Sequence, residues 1–350
     1  MSPLRNSSTM SNETLPRNDH LDIFITVLMV IASFTAVIGN LAVLILTYRY
    51  KILNSNANYL ITNLAMSDFI VGAFTIPPFA ISILLGHQIF FKPFCSISAY
   101  ITNVCTQASI LTVVCISVDR LISVLKPLKY PYYVTTNRTV IAITATWIMS
   151  LLMSAVPLFN LQHLGLGTYQ YVDYLFICWI DVNLKVNNGI YLAITYTSTS
   201  ICLLLVFISY VLIYREATRN RRRIHLIRRL NLRDKMSFKT TKTTMVIVGT
   251  FLCCNLPSIV MILNGLINGK SSQNHRFEKL GLALVFTNSA ANPIIYSLTN
   301  KSYRGSIQAF VHDLNRYHRR QRATVMRISV GATPQRSSKS KSRFPYSPHL

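Results

Sequence analysis

The chain has 350 residues, 51% of them hydrophobic and 13% charged, with 35 lysines and arginines against 11 aspartates and glutamates and a mean hydropathy of +0.37. Length alone suggests about two soluble domains, but the apolar residues fall in seven blocks of roughly 20 residues or more, each with at most one charge, long enough for transmembrane helices. The net charge of +24 does not read as a nucleic-acid surface, because the basic residues lie in the loops of one side of those blocks, so no nucleic-acid partner is expected.

Residues 1–22 lack the apolar core of a cleavable signal peptide. They carry the sequons NSS at Asn6 and NET at Asn12, and read as an extracellular, glycosylated N-terminus. The first span, 23–48, is followed at once by Arg49 and Lys51, whereas Glu13, Asp19 and Asp22 precede it; with the N-terminus outside, 28 of the 35 basic residues fall on the inner side. The second span, 57–85, contains Asp68 and the pair Pro77 and Pro78. The third, 94–118, starts beside Cys95 and ends in VDRLISVLKPL, where Arg120 can snorkel, pair with Asp119 or be released. Spans four to seven are 139–159, 186–214, 243–269 and 280–299, the last two interrupted by Pro257 and Pro293, each of which removes a helical hydrogen bond and invites a bend.

Asp68 is the only acidic residue deep within a span, and a lone carboxylate in hydrocarbon needs partners. Asn40, Ser109, Asn288 and Asn292 offer oxygens from three other spans; with one negative charge they form either a site for a small hard cation or a water-filled polar network that holds helices together. Five of the seven cysteines lie within spans, where a thiol behaves as a small hydrophobe. Cys95 and Cys178 lie at the outer face, where one disulfide or two unpaired thiols can exist.

In chain order the signatures are GN at Gly39 and Asn40, NLAMSD ending at Asp68, Cys95 with Cys178, DRL at 119–121 followed by Pro127, Trp147, FLCCNLP ending at Pro257, and NPIIY at 292–296. This set resembles the rhodopsin-like, or class A, G-protein-coupled receptors, and KPLKYP with NYLITNLAMSD is most similar to their biogenic-amine branch. The resemblance implies an all-α membrane protein, a seven-transmembrane helix bundle over 23–300 with a short amphipathic eighth helix over 301–317. Tyr303, Ile307 and Phe310 of that helix would face the membrane, ahead of a disordered cytosolic tail over 318–350.

Carried over residue by residue, the resemblance makes Asp68, Ser109, Asn288 and Asn292 an allosteric sodium pocket, with no covalent cofactor. Asp119, Arg120, Tyr210 and Tyr296 become the G-protein-coupling switch, and the ligand positions are Thr102, Asn103, Thr106, Gln107, Thr195, Ser198, Asn255, Ser258 and Phe286. The implied partners are a heterotrimeric G protein, with arrestin and a receptor kinase acting on Ser337, Ser338, Ser340 and Ser342. The implied location is the plasma membrane. The basic stretch RNRRRIHLIRRL reads as a helical extension of span five that touches anionic lipid and the G protein.

The departures narrow the ligand. Amine receptors of this class hold the ammonium with an aspartate eighteen residues before the motif arginine; here that position is Thr102. Phe286 replaces the lysine that carries retinal in opsins, Asn255 replaces the switch tryptophan, Cys202 stands at the fifth-helix proline, and no cysteine follows span seven to carry a palmitoyl group. The ligand is expected to be a small polar or amine-like molecule; a peptide meeting Asp173 and Asp181, or a transporter function, are the alternatives. No enzyme motif is present. The acidic residue that in many relatives clamps the motif arginine from span six falls at Ser237, with Asp234 nearly a turn away, which points to high basal activity.

Overall fold

A computed structural model describes residues 20–53, 55–89, 91–159, 161–180, 189–224, 244–260 and 275–331. Asn6, Asn12, Asp181, Asp234, Ser237 and the tail serines 337, 338, 340 and 342 lie outside them. Helix α1 runs His20–Arg49, α2 Asn56–Leu85, α3 Lys92–Leu125 and α4 Thr136–Ala155. A hairpin of β1 (Tyr169–Val172) and β2 (Ile177–Ile180) follows, then α5 (Gly189–Ile224), α6 (described over Thr244–Val260), α7 (His275–Thr299) and α8 (Lys301–Gly331).

The residues sort inside out relative to a soluble bundle. Along α1 the buried positions are mostly small or polar, Thr26, Ala32, Ala36, Asn40 and Thr47 among them, while Phe34 is 66% exposed and Ile38 60% exposed. Leu152 on α4 and Phe207 on α5 face outward in the same way. Apolar surface of this extent is tolerable only against hydrocarbon, and small or hydrogen-bonding residues between helices are what association in lipid requires. Five helices among the described residues are long and apolar enough to cross a membrane.

Helix α3 is the axis of the arrangement, packed against α2, α4, α5 and both strands, while α1 packs on α2 and α7. The expected weak point at Pro77 and Pro78 takes a specific form: residues Val71–Thr75, just before the prolines, make one π-helical turn inside α2, and Ser33 of α1 donates to the Gly72 carbonyl at 2.8 Å. Trp147 of α4 donates to Asn63 at 2.8 Å, and Asn63 donates to Thr112 at 2.8 Å, so one amide joins α2, α3 and α4. The Cys95–Cys178 disulfide fastens β2 to the start of α3.

Two expectations are corrected. Tyr303 does not face lipid: it is 1% exposed, with its hydroxyl 3.0 Å from Thr47 and 3.3 Å from Thr62, because a phenol that finds two hydroxyls gains more than one left at a surface. Helix α8 does not stop near Tyr317 but continues to Gly331, since between Gly305 and Gly331 the chain contains no glycine or proline to end it. The chain divides after Arg304 into two units, the second beginning within this helix.

Candidate functional site

At the Arg120 end, the third helix delivers Asp119 and Arg120 as a buried ion pair, the guanidinium donating twice to one carboxylate oxygen. The other oxygen accepts from Tyr130, at 2.7 Å, in a helical turn over Tyr130–Tyr133. Burial, and after it the negative charge of Asp119, hold the Tyr130 hydroxyl well above its ordinary range, so it remains a donor. Of the three fates open to Arg120, the structure therefore selects pairing, and it adds a tyrosine that the sequence reading did not single out. Tyr210 of α5 lies near Arg120, its hydroxyl facing Ser117 without closing a hydrogen bond, and Tyr296 of α7 is fully buried, its hydroxyl unpaired, stacked on Tyr303 with centroids 6.0 Å apart. Both are free to make a hydrogen bond in another arrangement.

In the middle of the bundle Asp68 is 1% exposed. Asn292 donates to its carboxylate at 2.7 Å, and the Ser289 hydroxyl, which the sequence did not single out, faces the same group. Asn40 donates to the Ser289 carbonyl at 3.0 Å, tying α1 into the cluster, and Ser109 pairs with Ser67 at 2.9 Å. The Oδ1 atoms of Asn40, Asn288 and Asn292 are all buried without a hydrogen-bond partner. Of these, Asn292 touches Asp68 directly and Asn40 joins it through Ser289; an uncommitted amide oxygen beside a carboxylate is an oxygen donor set that fits a small hard cation such as sodium.

The expected ligand positions separate into two groups. Asn103 is 2% exposed and donates to the hydroxyls of Tyr169 on β1, at 3.0 Å, and Tyr191 on α5, at 2.9 Å. Those phenols donate in turn to the carbonyls of Ser154 and Met153 in α4. Asn103 is thus a joint between α3, the hairpin, α4 and α5, with its amide N–H groups engaged there. Thr195 and Ser198 bond to carbonyls of their own helix, as does Asn255 to Phe251. Thr102 is buried, donating to the Ser98 carbonyl at 2.7 Å and sharing a hydrogen bond with Thr75 of α2 at 2.8 Å. Phe286 is buried edge-on to Phe79 at 5.4 Å, in the apolar core. Thr106, Gln107 and Ser258 are half-buried.

An ion pair unmarked by any motif closes the hairpin end. Asp22 of α1 pairs with Lys279 of α7, and the Lys279 ammonium stands 5.0 Å from the Phe176 ring centroid. Two charges 257 residues apart give no local signal of their pairing.

Residues 39–296 match the family model described as 7 transmembrane receptor (rhodopsin family). The chain is 30% identical to the histamine H2 receptor of Cavia porcellus over 284 residues, covering 80% of this chain and 77% of that protein. It is 27% identical to the octopamine receptor beta-2R of Chilo suppressalis, covering 81% of this chain and 78% of that one. In three dimensions it superposes on the crystal structure of squid rhodopsin with a TM-score of 0.70 at 25% identity, over 84% of this chain and 85% of the other.

Proposed function

Because this chain belongs to the rhodopsin family of seven-transmembrane receptors and is related to amine receptors, we propose that it binds an extracellular small polar or amine-like molecule and activates a heterotrimeric G protein. It is a multi-pass membrane receptor and not an enzyme. In this reading it sits in the plasma membrane with residues 1–22 outside and glycosylated at Asn6 and Asn12, and the Arg120 end meets the G protein. Arrestin and a receptor kinase act on the tail serines.

The observation that carries the reading is the polar seam through the bundle. Asp68 and Asn292 link α2 to α7 at mid-depth, with Arg120 held by Asp119 at one end and the hairpin at the other. A seam of this kind can be set in two ways, and a ligand that favours one setting shifts the population. The test is a second-messenger readout against ligand libraries, compared with mock-transfected cells; agonism lost in Arg120→Ala at equal surface expression supports the coupling site. Thr102, with its hydroxyl already engaged, leaves no anion there for an ammonium. An amine agonist would need another acidic partner.

The sodium reading rests on the buried Asp68 carboxylate and the unpaired Oδ1 of Asn292 beside it. Asp68, Asn288, Asn292 and Ser109 would hold the ion, which supplies a positive charge at the carboxylate and favours the arrangement that contains it. Raising sodium is then expected to lower agonist affinity by a coupling of about 1–3 kcal/mol, roughly 5- to 150-fold. Asp68→Asn should abolish that dependence with surface expression largely kept. A wild-type receptor whose agonist affinity ignores sodium overturns the site.

Basal activity follows from Ser237. With no acid there, the inactive arrangement keeps the Asp119 pair but lacks a second anchor on Arg120. A loss of about 1–2 kcal/mol raises the active population roughly 5- to 30-fold. Ser237→Glu is expected to lower ligand-independent second-messenger output toward the mock level at equal expression; an unchanged signal rejects the explanation.

A further inference from the structure

Helix α8 runs for 31 residues, Lys301–Gly331, about 46 Å at 1.5 Å per residue. Tyr303 fixes its base, with its hydroxyl against Thr47 and Thr62. Beyond that point Ile307, Phe310, Val311, Leu314 and Tyr317 follow at spacings of three and four, so they fall in one strip about 120° wide. The last four are 41% to 57% exposed. An apolar strip of this kind suits either a lipid surface or a partner protein that accepts a helix.

The charges decide between the two. Residues 302–322 carry Arg304, Arg316, Arg319, Arg320 and Arg322, all exposed, against one acidic residue, Asp313. At about 100° per residue Arg304 and Arg322 flank the strip and Arg320 falls within it, whereas Arg316 and Arg319 lie about 140–160° from its midline, on the opposite side of the helix. A helix lying on a bilayer brings only one side to the headgroups. Its far side is a helix diameter away, about 10–12 Å, beyond the Debye length of about 8 Å at physiological ionic strength. Arg316 and Arg319 would gain little from anionic lipid at that distance. A protein that closes around the helix meets arginines on every side, and it needs an apolar groove for the strip and acidic rims for the guanidinium groups.

We propose that residues 307–322 of α8 are the docking segment for an acidic calcium-sensor protein of the EF-hand type, bound only when the sensor is calcium-loaded. Calcium opens such a sensor and exposes a methionine-rich groove. Basic amphipathic helices with anchors at i, i+4 and i+7 are what that groove takes, and Phe310, Leu314 and Tyr317 stand at those spacings. Sensor sites fill at about 10⁻⁷–10⁻⁵ M calcium, so docking follows a rise in cytosolic calcium. This rests on the receptor reading above, which puts α8 on the cytosolic side, and adds to it a partner that is neither the G protein nor arrestin.

The test is binding of purified full-length receptor, in nanodiscs of phosphatidylcholine alone, to calmodulin as the probe, by surface plasmon resonance in calcium or in EGTA. Expected is saturable binding in calcium that weakens at least tenfold in EGTA. Leu314→Ala should weaken the calcium-dependent binding about tenfold, and Arg316→Gln combined with Arg319→Gln at least fivefold, both at an unchanged thermal midpoint because these side chains are exposed. Binding that is absent, or equal in calcium and EGTA, overturns the proposal, as does binding that both sets of variants leave unchanged. Nanodiscs containing phosphatidylserine address the lipid alternative. There, Leu314→Cys receptor shielded from a maleimide, read against the wild-type background, while calcium-loaded calmodulin fails to bind assigns the strip to anionic lipid and also overturns the proposal. A protein that binds calmodulin as expected but whose second-messenger output never departs from mock-transfected cells overturns the receptor reading instead and leaves the docking segment standing.

Discussion

Cys95→Ala and Cys178→Ala are expected to fail in the same way and to the same extent. The disulfide joins the first turn of α3 to β2 across a sequence separation of 83 residues, with α4 and the hairpin turn inside the loop it closes. A loop of that length constrains the unfolded chain by about 4–5 kcal/mol in the entropic account. In the sheet β2 pairs only with β1, in the register Tyr171 opposite Cys178, and a two-stranded hairpin is marginal alone, so β2 relies on the bond and on the packing of Ile177 and Ile180. Without the bond the hairpin is expected to lift, exposing Phe176, Ile177 and the Asn103 knot together. Either single variant should lose most surface delivery, and the double variant should be no worse than either, because a shared bond can be removed only once. Flow cytometry of surface receptor measures this; losses that add reject a shared bond.

The sequence marked chemistry wherever a residue was costly in its surroundings. Asp68 stood out because a carboxylate interrupted an apolar run, and the structure places it in a buried cluster with Asn292 as expected. Ser289 did not stand out, since a serine in a helix is cheap on any face, and only the packing of α7 on α2 turns it toward Asp68. Asn103 was legible as polar but not in its direction. Its partners lie 66 and 88 residues away, and the adjacent Thr102 faces Thr75 of α2 instead, so one step along α3 decides between α2 and the α4–α5 side. Tyr303 failed for a related reason: the apolar period of its own helix assigned it to lipid, while Thr47 and Thr62 of α1 and α2 claimed its hydroxyl. The reach of α8 was underestimated because polarity was taken as disorder. Low hydrophobicity argues against a core but not against a helix rich in arginine, a good helix former.

Gly39 shows the same limit from the other direction, since it belongs to a recognisable signature whose physical reason is invisible until α1 meets α7. A Cβ at Gly39 would lie 2.6 Å from Cγ and 2.8 Å from Cβ of Pro293. Neither side can yield cheaply: the proline ring is fixed to its backbone inside α7, and the glycine lies mid-helix in α1. Any side chain must push the two helices apart, and their contact carries the Asn40 hydrogen bond to the Ser289 carbonyl, one turn from Asn292 and its bond to Asp68. Gly39→Ala is expected to cost about 1–3 kcal/mol, as overpacking does in a filled interior, and Gly39→Leu more. Gly72, whose Cβ would lie 2.7 Å from that of Ala36, should behave similarly. Gly249 is the control, since nothing lies within 4 Å of a Cβ there, and alanine at that helical position should be neutral or stabilising by up to about 1 kcal/mol. Thermal midpoints of detergent-solubilised receptor separate the cases: Gly39→Leu well below wild type, Gly249→Leu close to it. Because the strain enters beside Asn40, surviving Gly39→Ala receptor should also respond less to sodium than wild type does. Equal midpoints for the Gly39 and Gly249 variants would remove the close approach of α1 and α7 on which the argument depends.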